Sequence, residues 1–151
     1  MDTGSSAFIL ICSAMVCLMT PALAFFYGGL GRRKNVINTM MMSVLPLAIA
    51  SLLWVIAGYS LSFGGHGRFF GNFSHLFLNG VSEAASSRGL TIPDMLFAAF
   101  QMMFSIICVA ILTGSVVGRM RFTPLAIFVV FWLLLVYYPF AHMVWDEGLL
   151  A

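Results

Sequence analysis

Two phenylalanines four residues apart, and a tryptophan followed by two acids, are the residues here whose types and spacing could do chemistry. Phe100 and Phe104 lie in "AAFQMMFSII", and in "YYPFAHMVWDEG" Trp145 is followed by Asp146 and Glu147. In a helix, Phe100 and Phe104 stack on one face about one turn apart, where two rings could close a narrow path. An indole face attracts a small cation through the ring quadrupole, worth about 0.5 to 2 kcal/mol as the cation is desolvated. A monovalent cation would be held this way without a metal-like cage. Plainer readings stand beside these. Aromatic pairs at helical spacing commonly pack on a neighbour or face lipid, and tryptophans are enriched where a helix leaves a membrane.

Other chemistries lack their residues. His66, His75 and His142 do not share ligand spacing, no CxxC occurs, and no glycine-rich phosphate loop leads into a lysine. The pattern points away from an enzyme, and no cofactor is expected. Cys12, Cys17 and Cys108 read as small buried apolar residues, and Cys12 and Cys17 point to different sides of one helix.

The elements that must position these rings follow from composition. Hydrophobic residues make up 62% of the chain and charged ones 8%, against roughly half and a quarter in a soluble domain. The surplus is organised into stretches reaching the roughly 20 residues that cross a hydrocarbon core. We read an all-α, polytopic membrane protein with spans at about Ser5 to Tyr27, Val36 to Phe63, Asp94 to Val117 and Phe122 to Val144. The alternating strands of a β-barrel are not seen. Residues 1–6 carry Asp2 and no basic n-region, so the first helix is expected to be retained.

Drawn this way, Arg32, Arg33, Lys34, Arg119 and Arg121 share one face. Arg68 and Arg88 share the other with Asp2, Glu83, Asp94, Asp146 and Glu147. The positive-inside rule then places the N-terminus outside. The net charge of +2 is a difference between two faces and implies no nucleic acid. In "AFFYGGLGRRKN", residues 24–35, aromatics, two glycines and a basic cluster follow one another at the inner end of the first span.

Pro21 and Pro46 lie inside spans, where a missing N–H and a ring clash predict kinks. Gly114 and Gly118 form a GxxxG spacing that would admit a neighbouring helix. Residues 64–93 form the one long connection, an outer loop with an "NFS" sequon at Asn72.

The segments "MTPALAFFYGGLGRRKNVINTMMMS", "FQMMFSII", "GRMRF" and "LVYYPFAHMVW" resemble the ammonium transporter family, related to the Rhesus glycoproteins, and the match runs almost end to end. The resemblance implies that residues 1–151 are the N-terminal part of an ammonium transporter domain. They would supply four transmembrane helices of an eleven-helix fold of two inverted repeats, with a narrow hydrophobic pore in each subunit. Trp145 looks like the tryptophan of the outer recruitment site. Phe104 resembles the ring that faces it and part of the phenylalanine gate, and Phe100 stands beside it on the vestibule side. Phe26 and Tyr27 look like aromatics at the cytoplasmic end of the pore.

The partners implied are ammonium or methylammonium, the lipid bilayer of the plasma membrane, a homotrimer when full length, and a cytoplasmic regulatory protein. The segment stops before the family's pore histidines, and His142 is not one of that pair. Asp146 and Glu147 stand where the family usually has glycines, Gly118 where it usually has a glutamate, and Ala22 where a glycine is common. The alternative expectation is a stand-alone four-helix membrane protein that binds or modulates full-length subunits without transporting.

Overall fold

Asp2 starts the first helix. Its carboxylate accepts hydrogen bonds from the backbone N–H groups of Gly4 and Ser5 at 3.2 and 3.0 Å, satisfying donors that a helix N-terminus leaves open. The computed structural model describes residues 2–31, 35–65, 67–82, 89–116, 118–146 and 149–150. Arg32, Arg33, Lys34, His66, Glu83, Arg88 and Glu147 lie outside the described residues.

Among the described residues four long helices form: α1 (Thr3–Leu30), α2 (Val36–Phe63), α3 (Asp94–Ser115) and α4 (Phe122–Trp145), each with a mean hydropathy above 2. At 1.5 Å per residue even the 22 residues of α3 extend about 33 Å, enough for a hydrocarbon core. This is a multi-pass membrane protein. The third span ends two residues earlier than expected, because Val116 leaves helical geometry and Gly118 takes a positive φ of 71° that terminates the turn.

α1, α2 and α3 pack on one another, and α4 packs along α2. From α1 only Thr20, Ala24 and Gly28 are buried, three small residues at a spacing of four. That strip lets backbones approach closely without a hydrophobic driving force between helices. A Cβ on Gly28 would lie 2.8 Å from the Met40 methyl carbon, so this glycine leaves room for the Met40 side chain at the α1–α2 contact. Gly29 has nothing within 4 Å and plays no such part. The remaining faces of α1, with Phe8, Ile11, Met15 and Leu18, are exposed, as lipid-facing positions are.

The core is aromatic. Trp54 is fully buried, donates its indole N–H to Ala98 O at 3.2 Å, and meets the rings of Tyr59, Phe63 and Tyr138 edge-on at 5.8 to 6.2 Å. Val109, Leu125, Val129 and Leu133 close the layer beneath it.

Helical structure runs unbroken through Pro21 and Pro46. The departures from α geometry lie elsewhere, as π turns at Trp54–Gly58 in α2 and Leu133–Tyr137 in α4. The two meet where Tyr138 packs over Gly58. The GxxxG reading is also corrected. Gly114 receives the Tyr27 ring of α1, which occupies the space a Cβ would need, whereas Gly118 faces open space and serves the turn. Nor are the cysteines buried: Cys17 is exposed and Cys12 and Cys108 are intermediate, all three as free thiols. In a protein this apolar, a small sulfur side chain can face lipid at little cost.

The loop after α2 is tied down by its backbone. The Ser60 hydroxyl donates to Asn72 O at 2.7 Å and accepts from His75 N–H at 3.1 Å, and Gly71 N–H donates to Leu61 O at 2.9 Å. Asn72 Oδ1 accepts from Ser74 N–H at 3.1 Å, so the sequon is folded into a local turn.

Candidate aromatic cation site

α3 and α4 place the aromatic residues at one end of the bundle. Phe100 and Phe104 share a face of α3, with ring centroids 5.0 Å apart and planes at 81°. Phe104 then meets Trp145 of α4 at 6.4 Å and 69°. Both contacts are edge-to-face, the arrangement favoured by ring quadrupoles. They form a continuous run from Phe100 through Phe104 to the indole. Phe100 and Phe104 are half-buried, while Trp145 stays 52% exposed. An indole with that much free surface can accept a cation, which a fully packed one cannot.

The chain ends α4 just past the indole. Asp146 leaves helical geometry at φ −130°, ψ 99°, and its N–H donates to His142 O at 3.2 Å. A carboxylate therefore follows the ring directly. The same indole borders an apolar cavity of about 310 Å³ lined by Cys108, Trp132, Tyr137, Phe140, Val144 and others. Sequence reasoning missed Trp132 and Cys108 as members of this neighbourhood. The available signal was for Cys108 alone, four residues after Phe104 and so on the same face of α3, whereas Trp132 stands 13 residues before Trp145, an interval that gives no shared helix face.

The polar residues around these rings behave differently. Gln101 Oε1 and Tyr137 Oη are buried without a hydrogen-bond partner among the described residues, while the buried hydroxyls of Ser105 and Tyr138 face each other. His142 is fully buried and contacts Ser62 O, Gly67 O and Asp146.

Phe26 and Tyr27 lie at the other end of the bundle, 5.7 Å apart. Phe26 is 60% exposed, and Tyr27 sits over Gly114. The structure brings Phe100, Phe104 and Trp145 together and keeps Phe26 and Tyr27 apart from them. Arg119 and Arg121 are exposed at the Tyr27 end, and Asp2 hydrogen-bonds Thr91 O at the other.

Fold and site define a polytopic helical membrane protein with an exposed aromatic platform at one helix end. The model of the Ammonium Transporter Family matches residues 7–151, and the chain belongs to that family. It is 42% identical over 148 residues to an ammonium transporter of Bacillus subtilis, covering 98% of this chain and 37% of the relative. An ammonium transporter of Aquifex aeolicus is 42% identical over 154 residues, covering 100% and 36%. The crystal structure of Candida albicans Mep2 superposes with a TM-score of 0.87 at 30% identity, over 98% of this chain and 33% of that one. Saccharomyces cerevisiae Mep2 gives 0.84 at 32% identity, over 97% and 35%. The chain spans about a third of the length of these relatives.

Proposed function

We propose that this chain forms the N-terminal part of a protein that carries ammonium across the plasma membrane, and that Trp145, Phe104 and Phe100 are its recruitment site and outer gate. The observation that carries the reading is the half-exposed indole set edge-on to Phe104 at 6.4 Å. A hydrated ammonium ion reaching the indole exchanges part of its water for the ring face, and the neighbouring Asp146 favours positive charge there. The Phe100–Phe104 pair then admits only a small, largely dehydrated species. At the opposite end, Phe26 and Tyr27 are the aromatics of the inner mouth.

The positive-inside rule, applied to Arg119 and Arg121, puts the Tyr27 end in the cytoplasm and the N-terminus outside. Homotrimeric assembly of the full-length protein and a cytoplasmic regulatory partner belong to the same reading.

The test is uptake of labelled methylammonium by cells that lack their own ammonium uptake and express the native protein. Saturable uptake, competed by ammonium, is expected. Trp145→Leu should weaken that competition by about 2- to 30-fold, the loss of a contact of about 0.5 to 2 kcal/mol. Unchanged competition in a folded variant would remove Trp145 from the site.

A further inference from the structure

The end of α4 holds a buried imidazole that the aromatic site does not use. His142 is 0% exposed. Its Nε2 lies 2.6 Å from Gly67 O, and its Nδ1 lies 3.1 Å from Ser62 O and 3.4 Å from the Asp146 carboxylate. These acceptors belong to three different segments: the last turn of α2, the outer loop, and the residue that closes α4. One side chain therefore joins all three.

The contact with the loop is built from both sides. A Cβ on Gly67 would run into the Phe70 carbonyl oxygen, so a residue without a side chain is what lets the Gly67 carbonyl turn onto the imidazole. On the α4 side, Asp146 N–H caps the His142 carbonyl, and the Asp146 carboxylate pairs with its ring. Trp145 sits on the turn bounded by these two residues. Its ring contact with a neighbouring ring is with Phe104, and half of its surface is open. Packing alone holds the indole weakly, so its placement depends on the turn that carries it.

We propose that His142 is a positioning residue for Trp145: by clasping Gly67 and Ser62 to the last turn of α4, it holds the indole at its distance from Phe104. The proposal rests on Trp145 being the recruitment site. Without the imidazole, Ser62 O, Gly67 O and the Asp146 carboxylate each lose the contact that links their segments. The terminal turn then frays, and the indole spreads over several orientations. Recruitment weakens, while steps deeper in the pore are unaffected.

The experiment is methylammonium uptake by the native protein, with KM and kcat measured separately and folded protein counted in the membrane. His142→Ala should raise KM by about two- to thirtyfold and by no more than Trp145→Leu does, with kcat held within about twofold. His142→Gln keeps an N–H donor able to reach Gly67 O, so it should fold and recover part of the affinity.

A double variant separates positioning from general stability. In a Trp145→Leu background, His142→Gln should add no further rise in KM, because the residue acts through the indole. A wild-type KM in folded His142→Gln and His142→Ala, or a full additive rise on top of Trp145→Leu, would overturn the proposal. Absence of saturable uptake in the wild type would instead overturn the transport reading on which it stands.

Discussion

Tyr138 of α4 lies directly over Gly58 of α2, so that a Cβ on Gly58 would sit 2.6 Å from the Tyr138 ring carbon Cζ and 2.8 Å from its hydroxyl. The two π turns meet at this point, one ending at Gly58 and the other just before Tyr138. A π turn widens the helix locally by one residue, and the widened turns bring a glycine and a large ring into register beneath Trp54. Gly58→Ala should therefore destabilise the protein by about 1 to 3 kcal/mol, as overpacking of a filled site does. Thermal unfolding of the detergent-solubilised protein measures this. A variant as stable as the wild type would mean that Tyr138 can move aside freely.

The contact of Tyr27 with Gly114 predicts coupling between the C-terminal ends of α1 and α3. Gly114→Ala places a methyl group where the Tyr27 ring lies, and a loss of about 1 to 3 kcal/mol is expected. Tyr27→Leu removes the colliding ring atoms, so Gly114→Ala should cost markedly less in that background. A double-mutant cycle on thermal stability checks the interaction, and strict additivity would refute it.

Asp2 gives a pH dependence with a definite sign. Hydrogen bonds from the Ser5 hydroxyl, then from the backbone N–H groups of Ser5 and Gly4, lower its carboxyl below the ordinary aspartate value. A depressed folded value means that the cap contributes fully above the unfolded value and is lost as pH falls through the folded one. The order of residues 3–6 should decline on acidification, followed by amide exchange at Gly4 and Ser5. In Asp2→Asn that acid-linked change should disappear.

Phe104 stands between Phe100 and Trp145 and touches both. Phe104→Ala interrupts the run of rings, so methylammonium flux should change while assembly is retained, because the residue is only half-buried. Flux per folded molecule is the measurement. Loss of the assembled protein would assign the ring to packing.

The spans were legible because lipid imposes a length. Val36 to Phe63 was read to the residue, and the other spans within a few residues of their ends. Phe100 and Phe104 could be paired from their spacing alone, since an interval of four fixes a shared face. The failures have a common cause. Gly114 and Gly118 share a helix-packing spacing, yet one seats a ring and the other turns the chain, and nothing local to "GSVVG" distinguishes them. Pro46 drew attention as a kink, while the altered turn lies at Trp54–Gly58, where a partner residue 80 positions beyond Gly58 selects the geometry.

From the sequence alone came the four membrane-crossing helices of this chain, and with them the expectations of which residues meet a small cation and how the charges divide between two faces. These follow from the thickness of a hydrocarbon core, the period of a helix and the cost of charge in lipid. Tertiary structure decided that the Trp145 indole meets Phe104, that Tyr138 fills the space above Gly58, and that His142 reaches Ser62 and Gly67. Those contacts join residues 41 to 80 positions apart. They depend on how far each helix is rotated about its own axis when all four pack together, which local pattern does not encode.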